Sequence, residues 1–173
     1  EDTFSDKIAL HVLNNMHPEY IRYSYLDRGS DERQYCSPGV DLPVASIMRT
    51  KYGQYKEYHT SLDNLEFISP DGLEGAYKVL LKCIECIEGN STFKTTILAE
   101  PQLGRRNLWP TLGASTNMDP NLLQISDILV YSDGEMDLLS IANKFNVLMT
   151  DLLSNVETLL KHKLIVEVKK NQN

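Results

Sequence analysis

The sequence predicts an α/β domain over residues 1–100, a linker over 101–120 and a small winged helix-turn-helix domain over 121–173. Three observations lead there. Two short runs of β-forming residues lie near the start, a long helical repeat follows residue 70, and the last 50 or so residues read helix, helix, helix, strand. At 173 residues the chain has room for one average domain or two small ones.

Taken in order, Ser5 and Asp6 can cap a first helix carrying Ile8, Leu10, Val12 and Leu13. After Pro18, the aromatic and β-branched run Tyr20–Leu26 reads as a strand. Asp27 to Gly39 is polar and holds Gly29, Pro38 and Gly39, so it reads as loop. Leu42–Met48 is a short apolar run bounded by polar residues and reads as a buried strand. Lys51–Asn64 is polar and aromatic, a second long loop. From Asp71 to Glu88, Leu73, Tyr77, Leu80, Ile84 and Ile87 recur every three or four residues. Ser69 or Asp71 would cap this helix and Gly89 would stop it. A connector with Pro101, Gly104, Pro110, Gly113 and Pro120 follows; Thr95–Ala99 could be a strand within it. Leu122–Tyr131, Leu138–Phe145 and Thr150–His162 then read as helices, with a stop at Asp133-Gly134 and a turn at Asn146. Leu164–Val168 reads as the closing strand.

Composition excludes several classes. Apolar residues are 42% and charged residues 24%, ordinary values that argue against disorder or a coiled coil. No window approaches the roughly 20 apolar residues of a membrane helix, and no signal peptide opens the chain. A net charge of −7 does not advertise a nucleic-acid surface. Three cysteines, Cys36, Cys83 and Cys86, are too few for a disulfide scaffold, and a reducing cytoplasm fits them. The chain begins at Glu1 without an initiator methionine, so chemistry upstream of it is expected.

Two loop stretches carry the densest chemistry. Asp27-Arg28-Gly29-Ser30-Asp31-Glu32-Arg33 offers a carboxylate just after an expected strand. Glu57-Tyr58-His59-Thr60-Ser61-Leu62-Asp63 offers the one histidine of four that falls in a loop between buried elements. A carboxylate and an imidazole are ordinary zinc ligands, although the same residues serve equally well as a solvated loop with local ion pairs.

The order of these features resembles the C-terminal half of the catalytic domain in co-catalytic zinc aminopeptidases. It runs Ser30-Asp31, Pro38-Gly39 through Pro43-Val44, His59-Thr60-Ser61-Leu62-Asp63, then the helix from Asp71. The segments DRGSDERQYCSPG, EYHTSLDNLEFISPDGLEG and EPQLGRR are similar to a bacterial group of aminopeptidase-like proteins that end in a winged helix. The resemblance covers nearly the whole chain and implies a partial aminopeptidase-like sheet with flanking helices. It implies that Asp31 ligates one zinc of a pair and His59 the other. Tyr58 would then aid substrate binding, and Asp63 would orient His59 as the acceptor for its second ring nitrogen. The resemblance implies a peptide or an amide-bearing small molecule as substrate, and the group's association with polysaccharide biosynthesis loci implies an amide or acyl group on a sugar in place of a peptide.

Two departures limit what this chain does alone. The superfamily's His-x-Asp ligand motif and Glu-Glu pair, which hold further ligands and the general base, occur nowhere in these residues. A catalytic zinc needs about three protein ligands and an open position. The expectation is therefore part of a zinc-dependent hydrolase that is not self-sufficient; the alternatives are a non-catalytic interaction module or a winged-helix DNA-binding protein.

The remaining signals read as structural. Cys83-x-x-Cys86 has knuckle spacing but lies in a helical pattern without a second pair. Asn90-Ser91-Thr92 is formally a sequon and reads as a helix-ending turn. His11, His17 and His162 fall on helix surfaces or ends. From Pro120 onward the chain carries five basic and seven acidic residues, and Asp151 and Glu157 sit on the helix that would read DNA. Since phosphate neutralisation dominates DNA affinity, a protein-docking or dimerisation role is expected for 121–173 in place of nucleic-acid binding.

Overall fold

A computed structural model describes residues 2–108 and 120–168. Its contacts divide into two units, Glu1–Ile87 and Glu88–Asn173, so the division falls ahead of the expected boundary at residue 100. Residues 109–119 of the expected linker and 169–173 of the expected last domain lie outside the described residues. The fold combines helices with one three-stranded sheet. No helix among the described residues is long and apolar enough to cross a membrane.

The first unit opens with α1, Phe4–Met16. Its N-cap is Thr3, two residues ahead of the expected Ser5, and Asp6 of the expected pair completes the cap from the third helical position. The Thr3 hydroxyl accepts from the Asp6 N–H at 3.3 Å, and the Asp6 carboxylate accepts from the Thr3 N–H at 2.9 Å, a reciprocal capping box. Ile8, Ala9 and Val12 are buried, and so is His11, which the sequence placed on a helix surface. Tyr25–Asp27 forms a single 3₁₀ turn, and α2, Glu32–Tyr35, is one turn inside the expected loop. The last helix of the unit is α3, Pro70–Gly89, whose final two residues fall past the division at Ile87; at its start the Ser69 hydroxyl accepts from the Gly72 N–H at 3.1 Å.

Two expectations for this unit are corrected. Residues 20–26 and 42–48 form no strand: the Leu42 N–H donates to the Tyr35 carbonyl at 2.8 Å, but neither run belongs to a ladder among the described residues. A strand exists only through a neighbour that completes its ladder, and no described segment supplies one. The apolar stripe of α3 is also not the buried one. Val79, Cys83 and Cys86 are buried, whereas Leu73, Tyr77, Leu80, Ile84 and Ile87 face solvent.

The second unit builds a complete core. β1, Thr92–Thr95, lies between β2, Asp133–Asp137, and β3, Ile165–Glu167, in the antiparallel order β2-β1-β3. The expected strand at 95–99 therefore sits earlier, and it is the centre of this sheet. α4, Pro120–Tyr131, α5, Leu138–Phe145, and α6, Met149–Lys161, pack against one another and the sheet through Ile128, Leu138, Ile141, Leu152 and Leu159. The expected stop at Asp133-Gly134 is the start of β2: Gly134 takes φ 95, and the Asp133 carboxylate accepts from the Glu135 N–H at 2.8 Å.

Helix ends in this unit are set by side chains that reach far in sequence. Asp137 caps α5 by accepting from the Ser140 N–H at 2.9 Å. Asn90 adds a second tie. Its amide donates to the Asp137 carboxylate at 3.0 Å, and its carbonyl accepts from the Leu139 N–H at 2.9 Å. The sequon asparagine is thus committed on both sides, which supports the structural reading of that motif. Asn146 closes α5 in the left-handed region at φ 54, as expected.

Candidate functional site

The site residues lie on two turns of the first unit. Asp31 precedes α2 and is exposed; its carbonyl accepts from the Gln34 N–H at 2.9 Å, and its carboxylate makes no cap hydrogen bond. His59 is exposed and sits at φ 57, a conformation uncommon outside glycine. Its ring lies flat on Tyr58, with centroids 4.0 Å apart and planes 15° from parallel. Asp63 is exposed, and its N–H donates to the Thr60 carbonyl at 3.2 Å. No hydrogen bond joins its carboxylate to His59 among the described residues. The ring contact with Tyr58, rather than Asp63, sets the plane of this imidazole.

Glu32, next to Asp31, ties these turns together. Its Oε1 accepts from the Gly29 N–H at 2.7 Å, the Ser30 N–H at 3.0 Å and the Tyr52 hydroxyl at 2.7 Å. Partial burial works to raise its pKa, but the Ser30 and Gly29 amides and the Tyr52 hydroxyl together outweigh it and hold the carboxyl at about 2. The same bond to Glu32, with burial and the carboxylate's charge, pushes the Tyr52 phenol above its ordinary value. Gly29 is required by contact: a Cβ there would lie 2.6 Å from the Tyr52 ring. Tyr52 in turn faces Tyr58, centroid to centroid 6.2 Å, and Lys51 Nζ sits 4.4 Å from the Tyr52 centroid. A continuous series, Glu32–Tyr52–Tyr58–His59, therefore links the turn of Asp31 to the turn of His59. Tyr55 and Phe67 extend it through ring contacts of 5.7 and 5.6 Å.

Sequence reasoning singled out Asp31, Tyr58, His59 and Asp63 and assigned no role to Glu32 or Tyr52. The spacing Gly29-x-x-Glu32, which lets a carboxylate reach back to free amides as in a capping box, is the signal that could have found the first of them. Tyr52 carries no comparable local signal.

An open groove of about 710 Å³ borders this network, lined by Glu32 and Tyr52 together with Leu42, Val44, Ala76 and Leu80. None of the four expected site residues lines it. Among the described residues no three His, Cys, Asp or Glu side chains gather as a metal site. Asp31 and His59 thus offer one oxygen and one nitrogen donor, short of the three ligands a catalytic zinc takes from protein, so these residues alone do not fit the metal. Cys83 and Cys86 form no disulfide, and burial pushes the Cys83 thiol up, away from nucleophilic use.

The second unit presents a different surface. Asp151 and Glu157 are exposed on α6, the second helix of the helix-turn-helix pair. That helix offers carboxylates where a DNA reader places donors and cations.

Comparison with known proteins divides the chain nearly where its contacts do. Residues 1–90 match the family described as domain of unknown function DUF4910, and residues 91–167 match a winged helix-turn-helix family. A Clostridium acetobutylicum protein named "Putative polysaccharide biosynthesis protein with aminopeptidase-like domain" is 41% identical over 144 residues, 83% of this chain and 33% of that protein. A crystal structure of a "putative peptidase" from Clostridium acetobutylicum superposes with a TM-score of 0.79 at 36% identity, covering 96% of this chain and 36% of that one. The chain spans about a third of the length of these relatives.

Proposed function

We propose a function from one premise, that this chain belongs to the family described as domain of unknown function DUF4910. On our reading it is the part of an aminopeptidase-like hydrolase that supplies two metal donors, the Asp31 carboxylate to one zinc and the His59 imidazole to the other. The observation that carries this is the series Glu32–Tyr52–Tyr58–His59, which ties an exposed carboxylate turn to an exposed imidazole turn. The names of the two Clostridium relatives support the same class of chemistry.

Each residue has a task in this reading. Tyr58 holds the His59 ring in plane and presents one face of the site to substrate. Glu32, anionic at any pH above about 2, fixes the Asp31 turn through Gly29 and Ser30. Asp63 adds negative charge beside the imidazole turn. A zinc pair, when bound, polarises a carbonyl and activates water. The remaining ligands and the general base come from sequence outside these 173 residues, so the chain alone is not a hydrolase. The substrate class is a peptide or an amide-bearing small molecule, processed in the cytoplasm. The exposed carboxylates of α6 favour protein docking or dimerisation through 121–173 over nucleic acid.

Zinc content tests this reading directly. The full-length protein, carrying the remaining ligands, should hold two zinc ions per molecule by plasma mass spectrometry. Asp31→Ala and His59→Ala should each lose about one of them. Unchanged zinc in both variants rejects the site.

A further inference from the structure

The groove beside the candidate site gathers cations held by aromatic rings and by a glycine instead of by acids. Lys51 is half-buried, with Nζ 4.4 Å from the Tyr52 ring centroid and 5.4 Å from that of Tyr23. The Tyr23 hydroxyl donates to the Gln54 side-chain carbonyl at 2.9 Å, which anchors the second of these rings. Arg28 lies over Tyr25, its guanidinium carbon 4.9 Å from the centroid. Arg49 rests on α3 at Gly75, where a Cβ would come within 2.8 Å of its Nη1. Glycine in a helix interior weakens the helix relative to alanine, and here its missing side chain leaves room for the guanidinium. All three cations line the same groove of about 710 Å³.

No carboxylate among the described residues pairs with them. The ion pairs there are Lys7–Asp2, Lys56–Glu57, Lys78–Glu74 and Lys82–Glu85, all on other lysines. Two of the groove's own carboxylates are engaged elsewhere: Asp6 accepts from the Thr3 N–H and hydroxyl, and Glu32 from Gly29, Ser30 and Tyr52. Its others, Glu19, Asp27 and Asp41, form no ion pair with the three cations among the described residues. In a chain of net charge −7, three such cations on one wall run against the average field. An aromatic face attracts a cation without neutralising it, so the charge stays available to an anion. A concave wall of low dielectric makes that attraction stronger than in open water, and the groove has the volume of a small-molecule site. We propose that Arg28, Arg49 and Lys51 form a seat for a carboxylate or phosphate group of a small molecule. Lys51 sits over the ring that bonds Glu32, the residue after Asp31, so an anion held there lies beside the turn of the expected metal donor. The substrate class narrows accordingly to amides that carry a negative charge. That narrowing rests on the hydrolase reading; the anion seat itself does not.

Titration calorimetry on the full-length protein in excess chelator tests the seat with three matched amides. N-acetylglycine offers a carboxylate, N-acetyl-phosphoethanolamine a phosphate, and N-acetylethanolamine no charge. The charged probes should bind and the neutral one should not; the tighter of the two identifies the group the seat prefers. Lys51→Met should weaken that binding about tenfold with circular dichroism unchanged, whereas Lys51→Arg should retain it. Arg49→Gln should weaken it too, Lys161→Met on α6 should leave it intact, and added salt should reduce it. Equal binding of the neutral probe, no binding of either charged one, or binding that survives both Lys51→Met and Arg49→Gln would overturn the seat. Zinc that is lost in Asp31→Ala and His59→Ala, in a protein that binds no anion, would leave the hydrolase reading standing without the seat. Anion binding in a protein that holds no zinc would do the reverse.

Discussion

The two units treat apolar residues in opposite ways. Among the described residues, the second unit buries sixteen apolar side chains and exposes five large ones, whereas the first buries six and exposes eighteen. Their sequences do not differ in this manner, since both carry helical stripes and β-forming runs. What differs is closure. The winged unit holds every layer its stripes require, three helices and a three-stranded sheet, so each apolar face meets another. The first unit has helices and loops but no sheet among the described residues, so its faces stay open. Burial of a large aliphatic side chain is worth about 1.5–3 kcal/mol, which makes the second unit the stable half.

Core truncation should separate the halves most sharply. Ile141 on α5 is fully buried, so Ile141→Ala should cost about 2–5 kcal/mol by urea unfolding. The matching change on the open face, Leu80→Ala, should move stability by less than about 0.5 kcal/mol. Equal losses would show that the first unit is closed in solution.

Removing the α5 cap comes next. Asp137 serves both the Ser140 amide and Asn90, so Asp137→Ala should cost about 1–2 kcal/mol of the second unit's stability. Gly134→Ala should cost about 1 kcal/mol, because φ 95 strains any side chain and Lys94 leaves little room beside it. Both losses should appear as faster amide exchange in α5 and β2.

The smallest effect belongs to Glu32 and marks the first unit alone. Its carboxyl is held at about 2 in the folded state, below the ordinary 4.5. A depressed carboxylate stabilises above its unfolded value, and that contribution fades as pH falls from about 4.5 towards 2. Acid titration followed by tyrosine fluorescence should show a transition in this window, and Glu32→Gln should flatten it. A transition that persists in the variant would assign the acid sensitivity elsewhere.

How much was legible follows from which interactions are local. α3, α5 and α6 were readable to within a residue or two because helix hydrogen bonds join neighbours four apart and the caps sit beside them. The turn at Asn146 was readable for the same reason. β1 and β2 were not: Thr92–Thr95 and the polar Asp133–Asp137 become strands only by pairing across some 40 residues. The candidate site divided similarly. Asp31, His59 and their turns were visible in motif order, but the bond from Tyr52 to Glu32 crosses 20 residues and has no sequence signature.

By itself, then, the sequence determined the helices, the winged-helix order of the last third, the acidic character of α6 and the exposed polar stretches that hold Asp31 and His59. Only the tertiary structure decided which stripe of α3 is covered, that residues 20–26 and 42–48 form no strand, and that Asn90 and Glu32 act as ties between distant segments. The physical reason is common to all of these. A helix satisfies its own backbone, while a strand, a buried face and a shared carboxylate each need a partner that the chain brings near only by folding.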